Sequence, residues 1–372
     1  PAWLALEAHA HSSEIAETHL RDMLTDQERV KALQTEYDGI VLDWSRQRVN
    51  GNTMNLLFDL AEVANVRGKV QQLRQGVPVN STEGRAAMHI ALRASADEVY
   101  NVDGENVVPA VHKVLNQIKS FSESVRSGEW KGVTGKPITN IVAIGIGGSY
   151  LGANFVYEAL HTDGEASSFA QGRQLRFLAN VDPVGCSRAL EGLNPETTLA
   201  IVISKTFTTR ETILNARTVR QWFVKSLGSG KDVVAKHMVA VSTNLKDVAA
   251  FGIDAEKGTF AFWDWVGGRY SVTSAVGLLP LALHYSYATV EKFLAGCRSL
   301  DHHFLTASPR TNLPLILGLM GIWNNNFLGY KSRALAAYSE AMLKLAPHIQ
   351  QVDMESNGKR VALDGTPVDF ST

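Results

Sequence analysis

The chain has 372 residues, a length that suggests about two to three domains. Lys and Arg number 36 against 37 Asp and Glu, and the resulting formal charge of −1 argues against a general nucleic-acid or anionic-membrane binder while leaving room for a local cationic pocket. Hydrophobic residues at 45% and charged residues at 20% describe a globular protein able to bury a sizeable core and exclude disorder as the dominant state.

The first hundred residues read as helices. Apolar residues recur at helical spacing from Glu14 to Leu33 and again from Met54 to Leu73, until Gly76–Pro78 breaks the pattern. A third helix is expected over Arg85–Ala94, opened by Asn80, Ser81 and Thr82 with Glu83 in its first turn. From Thr139 the rhythm changes. Apolar, β-branched runs at Asn140–Ile146, Gln174–Ala179, Leu199–Ile203 and His237–Val241 read as strands, with helices over Leu151–Leu160 and Thr209–Lys225. Such alternation implies a parallel sheet covered on both faces, whose ligands bind beyond the carboxyl ends of the strands. From Val276 through Tyr338–Leu345 the chain is again expected to be mostly helical. The apolar run Leu313–Trp323 is too short for the roughly 20 residues that span a bilayer and reads as a buried core helix. Arg360–Thr372 reads as a polar turn between short extended pieces, which suggests a chain continuing beyond it.

Cys186 and Cys297 make neither a disulfide framework nor a CxxC zinc site, and PAWLALEAHAHSSE has no secretory pattern, so a reducing, cytoplasmic setting is expected. His302 and His303 are adjacent and diverge on a helix; His9 and His11 lie near the terminus; His89 reads as a core or interface histidine.

Chemistry gathers at the strand ends. Gly145-Ile146-Gly147-Gly148-Ser149 follows one strand, Ser204-Lys205-Thr206-Phe207-Thr208-Thr209 another, and Ser242-Thr243-Asn244 a fourth. Small residues admit a ligand close to the backbone, hydroxyls and helix N-terminal N–H groups hold anions, and Lys205 adds a compact charge, so the three turns could share a phosphate pocket or be tight capped turns only. A dinucleotide fingerprint fails because Tyr150 stands where the third glycine belongs; Asp182 is a distant candidate for its ribose acid. Arg269, after Gly267 and Gly268, could face an oxyanion or phosphate, or could pair with Asp264. Glu355, in a polar stretch with Gly358, reads by chemistry alone as a surface carboxylate.

Asn80–Arg93, Ile144–Leu151, Ser204–Thr209, Phe262–Ser271 and Met354–Lys359 together resemble the glucose-6-phosphate isomerase family and follow its motif order through almost the whole chain. The resemblance implies an α/β fold, an α-β-α sandwich of the sugar-isomerase (SIS) type with parallel sheets flanked by helices and a helical N-terminal region. It implies a helical part over 1–102, a smaller sandwich over 103–282 and the first part of a larger one over 283–372. It further implies a cytoplasmic homodimer of glycolysis and gluconeogenesis, acting on hexose 6-phosphates with no metal or organic cofactor, no nucleic acid and no membrane. In its terms Ser149, Ser204, Lys205, Thr206 and Thr209 bind the phosphate; Gly148 and Gly268 line the sugar site and Gln351 hydrogen-bonds the substrate. Glu355 moves the proton between C1 and C2, and Arg269 stabilises the cis-enediolate.

Departures from the family pattern are Tyr150, Arg210 and Ala337 beside the site. The family's ring-opening histidine, from the neighbouring subunit, and its C-terminal lysine have no counterpart in residues 1–372. The chain is therefore expected to be part of a longer protein, and alone to isomerise weakly or not at all and to expose apolar surface. A phosphosugar-binding regulator without turnover is the alternative, disfavoured by the presence of both Glu355 and Arg269. A nicotinamide-dependent oxidoreductase is a weaker one.

Overall fold

The computed structural model describes residues 1–371, the side chain of Lys231 excepted, so Thr372 at the end of the closing polar turn lies outside the described residues. The chain divides into two units, one made of residues 1–77, 296–334 and the segment from Gly358 onward, the other of Pro78–Ala295 and Leu335–Asn357.

In the first unit polar caps cut the expected long helices short. Glu14–Leu33 is three pieces, Ser13–Ala16, Leu20–Met23 and Gln27–Ala32, because the side chains of His19 and Asp26 accept from the N–H groups of Arg21 and Arg29 and start new helices. Met54–Leu73 is two helices, Gly51–Val63 and Val66–Arg74, parted where Asn65 turns left-handed at φ 51° and caps Gly68. Between Leu33 and Gly51 lies a hairpin the helical reading missed: β1 (Gln34–Tyr37) pairs antiparallel with β2 (Ile40–Asp43). Asp38-Gly39, both at positive φ, is a turn signal for such a hairpin. The core of this unit holds Leu6, Ile15, Val49, Leu57, Ile316 and Trp323. The apolar run forms the helix Leu313–Ile322, but only one face is buried: Ile316 is inaccessible while Leu317 is 54% exposed. No helix among the described residues is long and apolar enough to cross a membrane. Val361 bridges Pro367 around Gly365, giving the expected turn between extended pieces.

The second unit opens with a correction. Asn80 and Arg85 form a bridge closed by Gly84 at φ 63°, and only a 3-10 helix, His89–Arg93, follows; Asn80 caps a turn, accepting from Thr82 Oγ1 and Glu83 N, rather than an α-helix. A two-residue ribbon, β3 (Asn101–Val102) with β4 (Glu105–Asn106), precedes the helix Val108–Ser127. The sheet then forms from β5 (Asn140–Ile144), β6 (Gln174–Leu178), β7 (Thr198–Ile203), β8 (Met238–Val241) and β9 (Thr259–Phe260), all parallel, in the order β6-β5-β7-β8-β9. Four of these strands match the apolar runs; β9, two residues long, was too short to show a period.

All six residues of β7 are buried, as a strand covered on both faces requires. Val142, Ile144, Ala200, Val202, Met238 and Ala240 face one layer with Val219, Phe223 and Val234. The helices Val108–Ser127 and Ala275–His284 cover the other side, the latter buried along its whole length. The expected α-β-α sandwich is present. Beyond the core, Gly329 at φ 71° ends a helical run, so 328–339 carries no helix where a mostly helical course was expected.

Candidate functional site

Chain order 6-5-7-8-9 places a topological switch between β5 and β7: after β5 the chain moves outward to β6, after β7 to β8. Loops leaving two such neighbours diverge and open a crevice at their carboxyl ends. The two loops here are Gly145–Ser149 and Ser204–Thr209.

The Ser204 loop is fastened at several points. Phe207 adopts φ 56°, a left-handed conformation costly for an aromatic residue, and its ring is 5% exposed within the core. Ser204 Oγ donates to Thr209 Oγ1 at 3.1 Å, and the Thr206 and Thr208 hydroxyls lie 2.6 Å apart. Thr209 sits at the N-cap of the helix Arg210–Leu227 without a side-chain cap bond, so the anion-attracting end of an 18-residue helix adjoins the loop. The Ser242-Thr243-Asn244 turn serves the loop from outside. Ser242 Oγ and Thr243 Oγ1 donate to the Lys205 carbonyl at 3.0 and 2.8 Å, and Asn244 Nδ2 donates to Thr206 O at 3.0 Å. These three side chains brace the Ser204–Thr209 loop, a role their reading as part of a shared pocket did not foresee.

Lys205 Nζ lies 2.9 Å from Asp264 Oδ1 and donates to Asp264 O at 3.3 Å. Arg85 reaches the same residue, donating to Asp264 O at 2.9 Å, and pairs with Glu83. The Lys205 ammonium, then the Arg85 charge, hold the Asp264 carboxyl below the usual carboxylate range. Arg269 is not the partner of Asp264; its Nη1 donates to Ser356 Oγ. Ser356 in turn donates to Gln351 O at 2.7 Å, tying the arginine to the turn that carries Gln351 and Glu355.

Glycines let these pieces approach. A Cβ on Gly148 would fall 2.2 Å from Gly268 O, so only glycine fits this backbone-to-backbone contact. Ser271 Oγ, 2.6 Å from Gly268 O and 3.3 Å from Gly148 O, clamps both. Gly147, at φ 58°, brings Gln351 Nε2 within 3.0 Å of where its own Cβ would be. Behind Arg269, Tyr270 stacks on His89 with centroids 4.6 Å apart; burial, then the Arg93 charge, pushes the His89 pKa down to about 4.

Ser149, Ser204, Lys205, Thr206, Thr209, Gly148, Gly268, Arg269, Gln351 and Glu355 all lie in the second unit. Gly148, Gly268, Arg269 and Gln351 are linked by the contacts above, and the Lys205 loop occupies the adjacent strand end. Glu355 ends a π-helical turn, Gln350–Glu355, and is exposed. Sequence reasoning named Asp264 only as a partner for Arg269, not for Lys205, and gave no structural role to Ser356 or Phe207. No group of His, Cys, Asp and Glu among the described residues is arranged to hold a metal ion. The arrangement offers an anion cradle at the carboxyl ends of β5 and β7, and a guanidinium tied through Ser356 to the turn that carries Glu355.

Residues 43–372 match the sequence model of the phosphoglucose isomerase family. The chain is 57% identical over 370 residues to a cytosolic glucose-6-phosphate isomerase of Zea mays, covering all of this chain and 64% of that protein. It is 55% identical over 371 residues to a cytosolic glucose-6-phosphate isomerase of Arabidopsis thaliana, covering 65% of it. A crystal structure of a glucose-6-phosphate isomerase from Chlamydia trachomatis superposes with a TM-score of 0.84 at 28% identity, over all of this chain and 68% of that one. The chain thus spans slightly less than two thirds of the length of the plant relatives it matches. On the family match and these identities, the chain belongs to the phosphoglucose isomerase family.

Proposed function

We propose that the protein carrying this chain interconverts glucose 6-phosphate and fructose 6-phosphate by moving a proton between C1 and C2. A proton beside a carbonyl is weakly acidic, so the reaction needs a positioned base and a cation facing the developing enediolate. Glu355 is the base and Arg269 the cation. Ser149, Ser204, Lys205, Thr206 and Thr209 hold the phosphate, whose binding energy orients the sugar. Gly148 and Gly268 line the sugar site, and Gln351 hydrogen-bonds the substrate. The observation that carries this reading is the single chain of contacts from Gly148 through Gly268 and Arg269 to Ser356 and Gln351, beside a cationic loop at a helix N-terminus. Arg269 donates to Ser356, the residue that follows Glu355 in sequence, which supports this pairing of roles. The plant relatives are named cytosolic, which supports a cytosolic setting. The homodimer rests on the family resemblance.

The test is fructose 6-phosphate formation from glucose 6-phosphate, with Glu355→Gln as the diagnostic variant. Lost turnover with retained hexose-phosphate binding supports the isomerase. A protein that binds hexose phosphate and never turns it over, before any substitution, is a regulator instead.

A further inference from the structure

At the opposite end of the sheet from the candidate site, by the amino end of the edge strand β6, is a cleft of about 490 Å³. Its walls include His161, Gln171, Arg173, Gln174, Arg176 and His284, and no carboxylate lines it. Gln174 pairs in register with Asn140, the first residue of β5, whereas the phosphate-type loops leave the carboxyl ends. A five-residue strand separates the two ends by roughly 16 Å.

The cations here are fixed but not neutralised. Arg173 donates to Ile138 O and Arg126 O, and Arg176 to the carbonyls that end the helix Pro183–Leu190, so both guanidiniums are held by neutral oxygens. Arg126, next in line, is held the same way by Leu283 O, His284 O and Phe169 O. None of these arginines forms an ion pair among the described residues. His284 is 4% exposed, and its Nδ1 is buried with no hydrogen-bond partner. An orphaned buried polar atom calls for an explanation, and a cleft walled by one sign of charge concentrates the opposite sign.

We infer that this cleft is a second anion site, specific for a phosphate group, built from Arg173, Arg176, His161 and His284. Burial pushes the His284 pKa down to about 4, and the charges of Arg126, His161 and Arg173 act in the same direction. A bound anion offsets the charges of those cations. This inference stands apart from the proposed isomerase reading, since it uses none of that site's residues.

The experiment is calorimetric titration with inorganic phosphate, and in parallel with glycerol 3-phosphate, of the unsubstituted protein, of Lys205→Ala and of Gln171→Glu. Gln171 is exposed and makes no fold-bearing contact, so its replacement adds a negative charge at the cleft mouth without removing a support. Unchanged thermal midpoints confirm that both variants fold. Expected is a binding event that survives Lys205→Ala and weakens at least fivefold in Gln171→Glu, with the His284 ring resonances shifting during titration. Tighter binding of the ester assigns the cleft to an organic phosphate, and equal binding to the free ion; both uphold the site. Phosphate binding that vanishes entirely with Lys205→Ala, or that ignores Gln171→Glu, overturns it.

Discussion

The loop bearing Lys205 and the turn bearing Glu355 belong to one unit yet are held in different ways. The loop is pinned by a buried aromatic ring, two hydroxyl pairs and three buttressing side chains from a neighbouring strand end. The turn is a π-helical piece whose Met354 is 64% exposed and whose described tether to the sheet side is the Arg269–Ser356–Gln351 relay. A cradle for a phosphate gains from rigidity, because each group fixed in advance costs no ordering on binding. For the proposed base, Glu355, positioning falls to the Arg269–Ser356–Gln351 relay. On the proposed reading, the contrast separates the holding of substrate from the chemistry done on it.

Four substitutions or conditions test that contrast. The largest effect is expected at the turn: Glu355→Gln lowers turnover by about 10²–10⁴-fold while hexose-phosphate affinity changes little, read by steady-state rates and calorimetry. Equal losses in both would mean that the turn also holds substrate. Next, Phe207→Ala removes a buried ring and should cost about 3–5 kcal/mol in urea unfolding, with phosphate affinity falling in step. Phosphate affinity intact in a destabilised Phe207→Ala would break the claim that the ring pins the loop.

Acid probes the support behind Arg269. His89 has its folded pKa pushed down to about 4 against an ordinary 6.5, so the unfolded chain takes up the proton first as pH falls. Its contribution is complete above pH 6.5 and is lost progressively between about 6.5 and 4, by about 3 kcal/mol in all. Urea midpoints at pH 7 and pH 4.5 should differ, and His89→Gln should shrink the difference. The smallest effect belongs to Asp264→Asn. Its pair with Lys205 is open to solvent on the acid side, 77% exposed, so the stability change should stay under about 1 kcal/mol and fade with added salt.

Much of the sheet was legible because buried parallel strands leave a strong mark, short β-branched runs ended by glycine or hydroxyl residues. Lys205 and its hydroxyl neighbours were legible for the same reason, since they immediately follow β7. The N-terminal helices were misread because a capping side chain such as Asn65 interrupts a helix without interrupting its apolar spacing. Contacts made across long sequence separations left no local trace. Nothing near Asp264 announces Lys205, 59 residues earlier, and nothing near Gly148 announces the Gly268 carbonyl. Glu355 is the extreme case: its surroundings are those of any solvated carboxylate, and only the family resemblance singled it out.

The switch between β5 and β7 also bears on how the chain folds. Asn140 must find Thr198 across the intervening helices and the parallel strand β6 before the two loops stand side by side. Pairing at such a separation is slow, because chain entropy is spent before contacts reward it. A half-assembled sheet therefore lacks the crevice between the two loops. On the proposed reading, a hexose phosphate would act as a ligand of the finished sheet, drawing the folding equilibrium forward by mass action and protecting the central strands from local opening.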